Sequence, residues 1–254
     1  MPATLVIERQ GPVGLVTFNR PERHNAFDDV LINELTEALR SMEAEDGVRV
    51  IVLSGAGKSF SAGADLEWMK RAAAYSKDEN LRDAMTLGAL MRTLDHLRKP
   101  TIARVHGNAF GGGVGLVACC DIAVAVQGAT FALSEVKLGM IPAVISPYVV
   151  AAIGVHNARR YFLTGERFDA GTALHIGLVH EVSADLDASV DRVVGELLTS
   201  GPKAVRAAKQ LIRERPSGED AAHLAARLRT SEEGQGGLRA FLDKQPAPWR
   251  SESS

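Results

Sequence analysis

The chain has 254 residues, with 29 Lys+Arg against 31 Asp+Glu, a formal charge of −2. That balance argues against a protein that binds nucleic acid through a basic surface. With 46% hydrophobic and 24% charged residues the composition is that of a folded globular chain, long enough to bury roughly 70–75% of its unfolded surface without a disulfide or metal staple. The two cysteines, Cys119 and Cys120, are adjacent and form neither a disulfide framework nor a zinc motif. The N-terminal stretch has no secretory or transit pattern, and the longest apolar runs fall far short of the ~20 residues that span a bilayer. A soluble, cytoplasmic protein without a membrane segment is expected.

In chain order, Thr4–Arg9 and Val13–Phe18 flank a Gly11-Pro12 turn and predict a β-hairpin. Asn19–Asn25 is a polar loop. Leu31, Leu35, Leu39 and Met42 fall on one helical face behind Asp28 as N-cap, and Gly47 ends that helix. Val50–Leu53 is a short apolar strand of the kind covered on both faces. A Gly/Ser/Ala loop spans Gly55–Gly63, and a helix starts at Asp65. Leu81–Arg98 is helical and stops at Pro100. Thr101–Val105 is a strand, Gly111–Cys120 a glycine-led helix, Ile122–Val126 a strand, and Leu178–Val182 the last strand. Alternation of strand and helix predicts an α/β fold with parallel pairing. Helices at Val190–Leu198, Pro202–Arg213, Ala221–Ser231 and Gly237–Asp243 follow. The chain therefore divides into an α/β core, 1–195, and a helical C-terminal region, 196–254, whose short helices must pack on the core or on another subunit.

Two nucleotide signatures fail. Gly57-Lys58-Ser59 ends like a phosphate loop, but the first required glycine is Val52. Gly113-x-Gly115-x-x-Ala118, with Glu135 about 20 residues on, fits a dinucleotide pattern loosely, and its glycines sit several residues past the predicted strand end. The seven histidines show no metal-ligand spacing. Arg20 and Arg23 read as a solvated loop that could otherwise meet a phosphate, and Trp68 and Met69 as core or pocket wall.

Two small-residue loops each open a helix: Ser61-Ala62-Gly63-Ala64-Asp65 and Phe110-Gly111-Gly112-Gly113. Helix N-termini carry free N–H groups and partial positive charge. Facing one point, two of them make an oxyanion hole. The other reading is that the glycines let helices pack closely on strands. Glu135, between apolar residues in Leu133-Ser134-Glu135-Val136, is either a surface acid favoured by a helix dipole or a general acid/base whose pKa burial would raise.

Together these pieces resemble the crotonase (enoyl-CoA hydratase/isomerase) superfamily along nearly the whole chain. The matching segments are Asn19-Arg20-Pro21-Glu22-x-x-Asn25-Ala26, Phe60–Leu66, Lys99–Thr101 running to Gly111–Gly113, Cys120–Ala123, Ser134–Pro142, Leu163–Gly165 and Ile176–Val179. The resemblance implies a spiral of ββα units with a C-terminal helical region that builds homotrimers or homohexamers. It implies an acyl-CoA thioester whose carbonyl oxygen binds the N–H groups of Ala64 and Gly112. Coenzyme A, part of the substrate, would lie along Arg23–Ala26 and Ala62, Ala64, Asp65 and Leu66. No metal or other cofactor, membrane or nucleic-acid partner is implied.

Gly111–Leu116 and Ser134–Tyr148 are most similar to the bacterial methylglutaconyl-CoA hydratase branch of leucine degradation, which suggests 3-methylglutaconyl-CoA as the 2-enoyl-CoA hydrated. Its distal carboxylate would need a cation or several hydrogen-bond donors near the acyl tail, and Lys137 and Arg104 are available. One departure stands out. Hydratases of this family carry two glutamates; Glu135 matches the second, Gly115 replaces the first, and Ala143 stands where glycine is common. The expected function is hydration with Glu135 as acid/base. The alternatives are enoyl-CoA isomerisation by a single glutamate and a non-catalytic acyl-CoA- or RNA-binding relative.

Overall fold

The computed structural model of the protein describes residues 3–250. The chain opens with the hairpin β1 (Leu5–Gln10) and β2 (Val13–Phe18), in register from Leu5 opposite Phe18 to Gln10 opposite Val13. Gly11 takes the positive φ of the turn, +57°. Along β2 the side chains alternate, with Val16 and Phe18 buried, as the period of two requires. Parallel to β2 run β3 (Val50–Gly55), β5 (Thr101–Val105), β7 (Ile122–Val126) and β10 (Glu181–Ser183), giving a six-stranded sheet ordered β1-β2-β3-β5-β7-β10.

A second sheet is built from strands of three residues each: β4 (Ser59–Ser61), β6 (Asn108–Phe110), β8 (Thr130–Ala132) and β9 (Arg167–Asp169). The first three are parallel and β9 is antiparallel to β8. A long strand, a short strand and then a helix repeat three times: β3-β4 with α2 (Leu66–Ala72) and α3 (Lys77–His96), β5-β6 with α4 (Gly112–Cys119), and β7-β8 with α5 (Ser146–Thr164). This is the expected ββα spiral. The sequence pattern leaves all four short strands in loops. Gly154, at φ +73° and ψ 157°, interrupts α5 and breaks the helical period that would have marked it.

α1 (Asp29–Ala44) is capped by Asp28, whose carboxylate accepts from Leu31 N–H, and it buries Leu31, Ile32, Leu35, Leu39 and Met42. Its C-terminus is closed by Lys99. That side chain is fully buried, and its ammonium donates to the carbonyls of Met42 and Glu45, each at 2.6 Å. α4 is apolar all round and sits inside the main core, as its composition demands.

After α6 (Ala170–His175), α7 (Leu186–Thr199) covers the other face of the long sheet, packing Leu186 and Val190 on Val50, Val52, Ile102 and Val124. The expected break at 195 therefore falls inside a helix that belongs to the core. Beyond it, α8 (Pro202–Glu214), α9 (Gly218–Thr230) and α10 (Glu232–Leu242) bury no residue fully. Lys209 of α8 ties them to the core through Asp121 at 2.7 Å, and Arg49 donates to the carbonyls of Ser200 and Trp249. Among the described residues no helix is long and apolar enough to cross a membrane.

Candidate active site

The short sheet delivers both glycine loops to one place. β4 leads into Ser61–Asp65 and α2, and β6 leads into Gly111 and α4. Gly63 has φ +86°, and a Cβ there would lie 3.0 Å from the carbonyl oxygen of Phe110. Gly111 has φ +49°, and a Cβ there would lie 3.0 Å from Glu135 Oε1 and 4.0 Å from Gly63 Cα. Positive φ favours glycine at both positions, and the close approach of the two loops and the Glu135 carboxyl leaves little room for a side chain there.

Ala64 is held like one residue of a strand. Phe27 N–H donates to Gly63 O, and Asp65 N–H donates to Phe27 O, both at 2.7 Å. Alternation along that bridge turns the Ala64 N–H to the opposite side. Gly112 is the first residue of α4, so its N–H has no intrahelical acceptor. Among the described residues neither amide has a hydrogen-bond acceptor. The Phe27 ring packs on Gly112 so closely that a Cβ there would come within 2.8 Å of it.

Glu135 stands in the 3-10 turn Ser134–Leu138 that follows β8. Its Oε2 is buried without a hydrogen-bond partner among the described residues. Burial pushes this carboxyl above its ordinary value; a backbone N–H opposes the shift only in part. Ala64, Gly112 and Glu135 all line one cavity of about 530 Å³. Its walls are mainly apolar, including Phe27, Trp68, Leu87, Met140 and Ile145.

The Gly115 departure has a steric counterpart. A Cβ there would lie 2.3 Å from Ile145 Cγ2. The Ile145 side chain fills the space that a side chain at position 115 would need.

Of the other residues singled out in the sequence, Ala62 and Leu66 line the cavity, and so do Trp68 and Met69. Ala26 is buried, and its carbonyl accepts from Arg20. Arg23 is half exposed and bonds Asp65 at 2.9 Å. Asp65 is structural in its contacts. It is buried, caps α2 through the N–H groups of Glu67 and Trp68, and also pairs with Arg20 at 3.0 Å. Burial alone would raise its pKa; the hydrogen bond from Arg23 and those from Glu67 and Trp68 outweigh burial and hold it below the usual carboxylate range. The expected solvated loop is corrected for Arg20, which is buried between Asp28 and Asp65, because the Asn25 side chain folds the loop inward onto Arg20 N, Ala56 O and Ser59 O.

Arg104 and Lys137 are not in the cavity lining. Arg104 pairs with Asp187 of α7, on the far side of the long sheet, and Lys137 packs toward Gly165. Asp83 of α3, which no sequence motif marks, does line the cavity.

Two free main-chain donors beside an unpartnered carboxyl define a site that can draw charge onto a carbonyl oxygen while moving a proton nearby. A family model described as enoyl-CoA hydratase/isomerase matches residues 8–252. The fold superposes on an enoyl-CoA hydratase from Shewanella pealeana with TM-score 0.94 and 43% identity, covering 97% of this chain and 96% of that one. An enoyl-CoA hydratase/isomerase from Marinobacter aquaeolei gives TM-score 0.92 and 32% identity over 97% and 98% of the two chains. The enoyl-CoA hydratase ACTT6 of Alternaria alternata is 38% identical over 216 residues, 82% of this chain and 69% of that protein. The chain belongs to the enoyl-CoA hydratase/isomerase family and is an enzyme of that family with the crotonase fold.

Proposed function

We propose that the enzyme adds water across the double bond of a 2-enoyl-CoA. The observation that carries this reading is the Glu135 carboxyl, its Oε2 buried and unpartnered, in one cavity with the free N–H groups of Ala64 and Gly112. The thioester oxygen accepts from both amides. The oxygen of water bonds C3, the C2=C3 electron pair moves toward the thioester oxygen, and Glu135 takes the water's proton. Glu135 then returns a proton to C2, giving the 3-hydroxyacyl-CoA. Donors already aimed at the developing oxyanion need no reorganisation during the reaction. A carboxyl whose pKa is raised by burial is a better match to neutral pH than an exposed one. No cofactor of the enzyme's own enters this scheme; coenzyme A arrives and leaves with the substrate, and Arg23 and Leu66 stand where it would run.

One observation favours a second reading. With Ile145 against Gly115, Glu135 must both orient water and carry the proton unless another group in the lining takes one of the two roles. A single carboxylate suffices to take a proton from C2 and return it to C4, which is isomerisation. The product decides. Incubated with 2-enoyl-CoAs and their 3-enoyl isomers, a hydratase gives a product heavier by one water. A shifted double bond at constant mass would replace the first reading by the second, and binding without turnover would point to a non-catalytic acyl-CoA-binding relative.

The finer expectation of 3-methylglutaconyl-CoA finds no support in the lining. Among the described residues no Lys or Arg lines the cavity, while Asp83 does. The acyl group we infer is therefore neutral and largely apolar. An assembly of three or six copies would cover the apolar residues left exposed on the C-terminal helices, among them Ile212 and Phe241.

A further inference from the structure

The cavity has one polar patch away from Glu135, where α3 forms the wall. Asp83 Oδ1 accepts the indole N–H of Trp68 at 3.2 Å. Among the described residues nothing bonds its Oδ2, and no salt bridge reaches it. Asn80, one helical turn earlier and also in the lining, spends its side-chain N–H groups on the carbonyls of Tyr75 and Ser76, each at 3.1 Å. What remains on this wall is acceptor oxygen: Asp83 Oδ2 and Asn80 Oδ1. Arg71, a cation close enough to act on Asp83, is engaged by Asp29.

We propose that Asp83 is a specificity-determining residue for the acyl group. It accepts a hydrogen bond from an acyl tail that carries a neutral donor, such as a hydroxyl, and it turns away tails that end in a carboxylate. A wall that offers acceptors alone gives an anionic tail no donor and adds like-charge repulsion across a partly dry cavity, where charges interact more strongly than in water. Rejection by an unmatched charge is a common route to selectivity. The carboxyl is fixed for this task by Trp68, which is itself buried and lines the same cavity. Burial raises its pKa, and the hydrogen bond from Trp68 opposes the shift in part.

The inference rests on the reading of the cavity as an acyl-CoA site, and binding of unreactive saturated thioesters tests it without turnover. Hexanoyl-CoA, 6-hydroxyhexanoyl-CoA and adipoyl-CoA (the mono-thioester) have equal chain lengths and differ at the tail. Titrated calorimetrically into the wild-type protein, adipoyl-CoA is expected to bind about tenfold or more weakly than hexanoyl-CoA. The hydroxyl compound is expected to bind at least as tightly as hexanoyl-CoA. Asp83→Asn keeps an acceptor for Trp68 and removes the charge, and it should close most of the adipoyl gap. Equal binding of adipoyl-CoA and hexanoyl-CoA by the wild type, or a gap unchanged in Asp83→Asn, overturns the proposal. If 2-hexenoyl-CoA is not hydrated while the binding order holds, the hydratase reading falls and the specificity assignment stands. If no thioester binds, both fall.

Discussion

The spiral core and the C-terminal helices are made of similar amphipathic material and end in opposite surroundings. In the core, α1 buries seven side chains and α4 six of its eight residues. In α8, α9 and α10 none is fully buried, and Ile212 and Phe241 are 74% and 79% exposed. The core is also where unfavourable features are kept: a buried carboxyl oxygen without a partner at Glu135, glycines at positive φ, and charge pairs with little access to water. Groups of that kind persist where the surrounding packing holds them and commonly mark function. The difference therefore separates a region whose packing holds the candidate site from one whose apolar side chains stay exposed in the single chain.

The largest expected effect is at Glu135. Glu135→Gln should lower turnover by ~10²–10⁴-fold, the usual contribution of a positioned acid/base. The same change should not destabilise the fold. A carboxyl whose folded pKa is raised adds stability below its unfolded pKa and loses it as pH rises through the folded value. Relative to wild type, the glutamine variant should gain stability between pH 4 and pH 7. Urea midpoints at both pH values check this, and an unchanged turnover number would remove Glu135 from the reaction. The acid limb of the wild-type rate should lie above the ordinary glutamate range of about 4.3.

How much of this was legible in the sequence follows the same divide. The long strands and amphipathic helices of the core declare themselves, since five or more residues suffice to show a period. The strands β4, β6, β8 and β9 have three residues each, too few for alternation to register, yet they aim the two glycine loops at Glu135. Glu135 and the loops are visible as motifs. The Asp83–Trp68 contact is not, because it joins two helices whose relative placement is a property of the packed core. Arg20 misleads for a related reason: its burial depends on Asn25, Asp28 and Asp65 converging from separate segments.

The next effect in size belongs to that charge cluster. Asp65→Asn leaves Arg20, 8% exposed, with Asp28 as its remaining anion, and it weakens the α2 cap. Breaking a buried pair from one side costs about 3–5 kcal/mol, and the retained Asp28 contact places the expectation at the lower end of that range. Because the folded pKa of Asp65 is depressed, its stabilising contribution is present above the unfolded value of about 3.9 and is lost as pH falls through the lower folded value. Wild type and Asp65→Asn should therefore converge in urea midpoint as pH drops toward 3. A constant gap would mean that the carboxylate acts through shape and not charge.

A smaller loss is expected at Gly115. Gly115→Ala sets a methyl against Ile145 and should cost about 1–3 kcal/mol, as overpacking does. Ile145→Ala in the same chain should recover part of it, so that the double variant is more stable than the sum of the single changes predicts. Additive losses in denaturant melts would mean that Ile145 does not occupy the space a side chain at 115 would need.

The smallest effect should come from the C-terminal helices, and its size depends on concentration. In a dilute, dissociated sample, Phe241→Ser changes an exposed position and should move stability by no more than about 0.5 kcal/mol. If three or six copies cover this surface, association stabilises the folded chain by mass action and the melting temperature of the wild type climbs with protein concentration. Phe241→Ser should flatten that climb and lower the mass measured by light scattering, with turnover per folded site retained. A melting temperature independent of concentration in both proteins would leave α8–α10 as the solvated end of a monomer, and the contrast with the core would then be one of stability alone. The measurement tells the two regions apart because the core's residues should answer to pH and packing, while Phe241 should answer to protein concentration only if other copies cover it.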